Sequence, residues 1–71
     1  MTNGKRLLAY RRGRGRENRI PQKMLAASMH IQQSTICHWE GDVIDCSDAD
    51  LRWAMETCDS IRESAKVALS A

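Results

Sequence analysis

The segment Pro21–Glu40 reads PQKMLAASMHIQQSTICHWE and decides the fold of this chain of 71 residues. One apolar face of a helix is predicted from residues at the spacing i, i+3, i+4, i+7: Gln22, Leu25, Ala26 and Met29. Residues 31–33 form a short connection, and Ile36 and Trp39 share the inner face of a second helix that ends near Glu40. We therefore expect two short helices joined by a tight turn, with their small and apolar faces wedged together.

The flanking sequence also favours helices. A helix is predicted over about 5–12, then a basic Arg-Gly loop over 11–19, and a C-terminal helical segment over 47–69 that Ser47 begins as N-cap. A capping box at 60–63 predicts a separate short helix over 61–69, with one long helix over 48–69 as the alternative. Gly41 is expected to end the preceding helix in a left-handed turn. No segment alternates at period two, so the prediction is a compact all-α domain over 1–71 with four to five helices.

Composition limits the class of protein. No stretch approaches 18 consecutive apolar residues and no charged-then-apolar leader opens the chain, so we expect neither a membrane span nor a signal peptide. Three cysteines at irregular spacing argue against a disulfide framework and favour a reduced cytoplasmic protein. Zinc binding would draw on this pool: His30, Cys37, His38, Cys46 and Cys58. Because no C-x-x-C or H-x-x-x-H pair occurs, we expect small buried thiols and no metal or other cofactor.

The charge is distributed unevenly, although the net charge is only +2. Residues 1–23 hold eight Lys and Arg against one Glu, a net charge of +7. Residues 24–71 hold three Lys and Arg against eight Asp and Glu, a net charge of −5. This asymmetry predicts a polyanionic partner for the first third of the chain.

Catalysis is not expected. The sequence has no nucleophile elbow, no phosphate-binding glycine loop and no paired carboxylates backed by a base. Cys37 and His38 are neighbours in sequence and point about 100° apart on a helix, so their side chains cannot easily pair.

The segment 21–40 resembles the helix-turn-helix of the Cro and lambda-repressor-like (XRE) family. The resemblance extends over about residues 20–58 and is carried by matched spacings at Gln22, Leu25, Ala26, Ile31, Ile36, Trp39 and Glu40. It implies a lambda-repressor-like fold and sequence-specific binding of a DNA operator, as in a Cro-like phage or mobile-element repressor associated with the nucleoid. His30 replaces the family's turn glycine, which predicts a non-glycine residue at positive φ.

The resemblance also implies which residues contact DNA. Base reading falls to the first turn of the third helix and one turn on: Gln33, Ser34 and His38. Phosphate-contacting or supporting roles fall to Gln22, Lys23, Thr35 and Cys37. The basic loop adds Arg12, Arg14, Arg16 and Arg19, which either follow the phosphates or enter the minor groove.

Family members bind as two-fold dimers, which implies a homodimer here, formed in solution or on DNA. Trp53 and Val67 lie on a face of the C-terminal helix other than its apolar stripe and are the predicted dimer contacts. No small-molecule ligand is expected.

Three alternatives remain at this stage. A phage CII-type activator also places Ile and Trp in its third helix. A protein-interaction module would use the acidic C-terminal half, and an RNA-binding protein would use the Arg-Gly run alone. Asp42 and Asp45 follow the third helix, where the family usually places phosphate contacts, and this puts that second phosphate clamp in doubt.

Overall fold

The structure, a computed structural model, describes residues 1–13 and 19–70, with side chains up to Lys66 in the last helix. These residues form four helices and no strand: α1 (Asn3–Arg12), α2 (Gln22–Met29), α3 (Gln33–Glu40) and α4 (Asp48–Ser70). The predicted all-α class is confirmed. The first helix begins two residues earlier than predicted, because the Thr2 hydroxyl accepts a hydrogen bond from the Lys5 N–H at 3.2 Å and caps it.

The C-terminal segment is one helix, so the predicted break before residue 61 is wrong and the alternative of a single long helix is confirmed. Its N-terminus is capped as expected, since the Asp50 N–H donates to Ser47 Oγ at 3.0 Å. No glycine or proline interrupts residues 48–70, and the apolar register continues from Leu51 to Ile61. None of the helices in residues 1–13 and 19–70 combines the length and the hydropathy that crossing a membrane requires.

Two non-glycine residues take left-handed backbone conformations at helix ends. His30 ends α2 with φ 58° and ψ 39°, which confirms the positive φ predicted there. After α3 the prediction was wrong: Gly41 has φ −86°, and Asp42 takes the left-handed position with φ 59°. Aspartate tolerates this conformation better than most residues, and its carboxylate is held by the Thr2 hydroxyl at 2.7 Å.

The core lies between the four helices and is built from aliphatic, sulfur and tryptophan side chains, as the composition predicts. Leu25, Ile36 and Trp39 are buried as expected, beside Met29, Leu51 and other apolar residues from every helix. The prediction of buried thiols is correct for Cys46 and Cys58 and wrong for Cys37, which is exposed on α3. Burial raises the pKa of the Cys46 and Cys58 thiols, so both stay protonated at neutral pH.

The N-terminal turn of α1 packs directly on the C-terminal turn of α3. A Cβ atom added at Gly4 would lie 1.7 Å from the carbonyl oxygen of Trp39. A contact of this length with backbone cannot be relieved by a side-chain rotation. The absence of a side chain at Gly4 therefore sets how closely α1 approaches α3.

Substituting Gly4→Ala should destabilise the domain by about 1–3 kcal/mol through overpacking. At an exposed helical position the same change would stabilise by about 0.5–1 kcal/mol, so the sign of the effect is diagnostic. Gly41→Ala is the matched control, because a Cβ there would lie no closer than 3.3 Å to its nearest neighbour. Urea unfolding of both variants measures the difference, and a Gly4→Ala variant as stable as the native chain would contradict the close packing.

Candidate nucleic-acid interface

The outer face of α3 is polar and open to solvent. Gln33, Ser34 and His38 are exposed, whereas Ile36 and Trp39 point into the core from the same helix. Thr35 is half-buried and Cys37 is exposed. The structure therefore brings the three predicted base-reading residues to one helix surface, with Thr35 and Cys37 completing the exposed turns.

Gln22 at the start of α2 connects this surface to the interior. Its Nε2 donates to Glu40 Oε1 at 3.0 Å, and its Oε1 accepts a long hydrogen bond of 3.5 Å from Gln33 Nε2. An ionised carboxylate only accepts hydrogen bonds, so Gln22 must present its NH₂ group to Glu40 and its carbonyl oxygen to Gln33. Gln33 is thereby oriented with one amide hydrogen and its own carbonyl oxygen directed to a further partner.

Glu40 is in turn held by a buried ion pair with Arg11 of α1. Arg11 Nε donates to Glu40 Oε2 and Arg11 Nη2 to Glu40 Oε1, each at 2.8 Å, in a bidentate arrangement. Both residues are only 5% exposed. The hydrogen bonds from Glu40 raise the pKa of Arg11 above its already high ordinary value, so the guanidinium stays charged.

Sequence reasoning missed this ion pair. It counted Arg11 as part of the basic loop 11–19, but α1 continues through Arg12 and Arg11 points inward. The loop therefore begins at Gly13. One signal was present in the sequence: Arg11 lies four residues after Leu7, on the same helix face, and Leu7 is fully buried.

The positive charge of the first third of the chain is smaller at the surface than the sequence suggests. Arg11 is neutralised by Glu40, and Lys5 Nζ donates to the carbonyl oxygen of Glu40 at 2.7 Å while lying 3.9 Å from an Asp42 carboxylate oxygen. Asp42 thus serves to dock α1. Of the predicted phosphate-contacting residues, Arg12, Arg19 and Lys23 are exposed, and Arg14 and Arg16 lie outside the described residues.

The two ends of the basic segment are fixed to the core. The Ile20 N–H donates to the carbonyl oxygen of Arg11 at 2.9 Å, and Arg11 Nη1 donates back to the carbonyl oxygen of Ile20 at 2.9 Å. Arg62 of α4 donates to the carbonyl oxygens of Tyr10 and Arg11 and stacks over the Tyr10 ring. Arg12 and Arg19 therefore leave the domain from a rigid base.

The predicted dimer contacts lie away from α3. Trp53 is 44% exposed on α4, beside Met24 of α2. The side chain of Val67 lies outside the described residues. In the part of the chain that the structure describes, no group of three His, Cys, Asp or Glu side chains could hold a metal ion.

No family model, curated protein or solved structure matches this chain. The functional proposal below therefore rests on the residues and geometry of the chain itself.

Removing one partner of the buried pair should cost far more than removing both. Arg11→Met leaves the Glu40 carboxylate buried without a countercharge and should destabilise the domain by about 3–5 kcal/mol. The double variant Arg11→Met/Glu40→Met removes both charges and should recover most of that loss, because the Coulomb attraction of a buried pair is largely offset by its desolvation. Thermal and denaturant unfolding measure both, and additive losses in the double variant would contradict the coupling.

Proposed function

We propose that this protein binds double-stranded DNA selectively by sequence and acts as a small transcriptional regulator, with α2 and α3 as a helix-turn-helix and α3 in the major groove. The single observation that carries the proposal is the orientation of Gln33. Its amide is directed through Gln22 by the buried Glu40 carboxylate, on a helix face that is otherwise polar and exposed. An exposed amide held by a buried ion pair is suited to recognition of a hydrogen-bonding partner.

The dimensions of α3 fit the proposed target. Its eight residues span about 12 Å, and a helix with side chains is about 10–12 Å across. The major groove of B-DNA is about 12 Å wide and admits one helix. The remaining amide hydrogen and carbonyl oxygen of Gln33 match N7 and the N6 amino group of adenine, the bidentate pairing that glutamine makes in that groove.

The neighbouring side chains supply further contacts. The hydroxyl of Ser34 both donates and accepts, so it suits several bases, and His38 lies one turn along the same face. Thr35 and Cys37 flank this face and would contact phosphate or a thymine methyl group. Together these groups read a short stretch of base pairs.

Cations at the start of α2 would position the domain on the phosphates. Arg19 and Lys23 are exposed on either side of Gln22, and Arg12 is exposed at the other end of the basic segment. Gln22 uses one amide hydrogen on Glu40 and keeps the second for a phosphate oxygen. Such contacts add affinity that is independent of sequence and falls with salt.

Selection of bound sites from random duplexes tests the proposal. We expect enrichment of a short motif, and Gln33→Ala should lose about 1–3 kcal/mol on the selected site with little loss on random duplex. Lys23→Ala is the matched control: it should weaken binding to all sequences about equally and lower the salt slope by about one unit.

Three outcomes would contradict the proposal. One is equal loss on selected and random DNA for Gln33→Ala, which would remove this residue from base recognition. The second is tighter binding to single-stranded RNA than to any duplex, which would favour RNA binding through the Arg-Gly run. The third is no measurable duplex binding at low salt.

A further inference from the structure

An open groove of about 620 Å³ runs between α2 and α4. Two of the large apolar side chains that the described residues leave exposed stand on it, Met24 at 48% and Trp53 at 44%. No residue of α3 lines the groove. This surface is therefore separate from the one proposed to contact DNA.

The lining of α4 grades from large to small along one helix face. It consists of Trp53, Glu56, Thr57, Ser60, Ile61 and Ser64. The Thr57 hydroxyl donates to the carbonyl oxygen of Trp53 at 2.8 Å, so the methyl group of Thr57 is what remains for a partner. A bulky aromatic at one end and two serines at the other give this face a size gradient.

We propose that the groove is occupied by α4 of a second copy of the chain, packed antiparallel about a two-fold axis between Cys58 and Asp59. In that arrangement Trp53 of each copy lies over Ser64 of the other, and Thr57 lies over Ser60. Large meets small at every step of the contact. A two-fold interface requires one surface patch to be complementary to itself in this way.

Charge favours the antiparallel orientation over the parallel one. Glu56 is the one charged residue among those that line the groove. In the antiparallel pair it lies over Ile61 of the second copy, whereas a parallel pair would place the two Glu56 carboxylates together and the two Trp53 rings against each other. The antiparallel pair also sets the opposite ends of the helix dipoles side by side.

The length of the contact sets its strength. The span from residue 53 to residue 64 covers about 18 Å of helix, and its contact area falls below the roughly 800 Å² per partner typical of stable complexes. The dimer is therefore weak and forms at high protein concentration. It requires no DNA, so it stands or falls independently of the proposed function.

Sedimentation equilibrium of the full chain without DNA, at concentrations between about 1 μM and about 1 mM, tests the proposal. The native chain should rise from its monomer mass of 8.1 kDa towards twice that value. Trp53→Ala and Ser60→Glu should each weaken association about tenfold or more. Both positions are exposed, so the variants should fold, which circular dichroism checks. Ala9→Glu, an equal change at an exposed position on α1, should associate like the native chain.

Two results would overturn the proposal. One is a native chain that stays monomeric throughout the concentration range. The other is association of Ser60→Glu and Trp53→Ala at native strength. A Val43→Ser/Ile44→Ser variant identifies a competing site, because these residues form a second exposed apolar patch after α3. If this variant abolishes association and Ser60→Glu does not, the dimer uses that loop.

Cross-linking tests the orientation. In a Cys37→Ser background, which removes the exposed native thiol, Thr57→Cys and Ser60→Cys variants are mixed and oxidised. The antiparallel pair predicts disulfide-linked heterodimers in excess of their statistical share, because Thr57 faces Ser60 across the axis. Homodimers of each variant in excess, or no cross-linking, would overturn the antiparallel arrangement.

Discussion

The buried ion pair between Arg11 and Glu40 is the interaction on which the rest of the structure depends. Its guanidinium also binds the carbonyl oxygen of Ile20, and its carboxylate also binds the amide of Gln22. Four separate pieces of chain therefore meet at one charged pair: the end of α1, the segment leading into α2, the start of α2 and the end of α3. All of its polar atoms are satisfied, since no buried side-chain nitrogen or oxygen in the described residues lacks a partner.

A buried ion pair is weak evidence for stability, because desolvation offsets most of the attraction between its charges. Its consequence here is geometric. Directional hydrogen bonds at Glu40 fix the amide of Gln22, and Gln22 orients Gln33 at the surface. Apolar packing of Leu25, Ile36 and Trp39 sets the distance between the helices but imposes no such orientation on an exposed side chain. The core and the proposed interface are thus connected by polar groups rather than by packing alone.

The helices and core followed from the sequence because they depend on local patterns. Spacing identified Leu25, Ile36 and Trp39 as core, and the turn position of His30 was recognised from its place between two apolar stripes. The ion pair could not be derived in that way, because the 29 residues between Arg11 and Glu40 leave no local signal of their contact. The left-handed conformation fell on Asp42 instead of Gly41 because tertiary contacts with Thr2 and Lys5 fix that aspartate. A capping box at residues 60–63 was overridden by a continuous apolar register.

The central claim is that the oriented amides of Gln22 and Gln33 form the recognition surface. Nuclear magnetic resonance tests it directly, since the side-chain amide and backbone signals of a protein of 8.1 kDa are individually observable. On titration with a duplex carrying the selected motif, we predict the largest changes at the side-chain amides of these two glutamines and at the backbone of Ser34 and His38. Changes confined to α4, or no changes at any duplex concentration, would contradict the account.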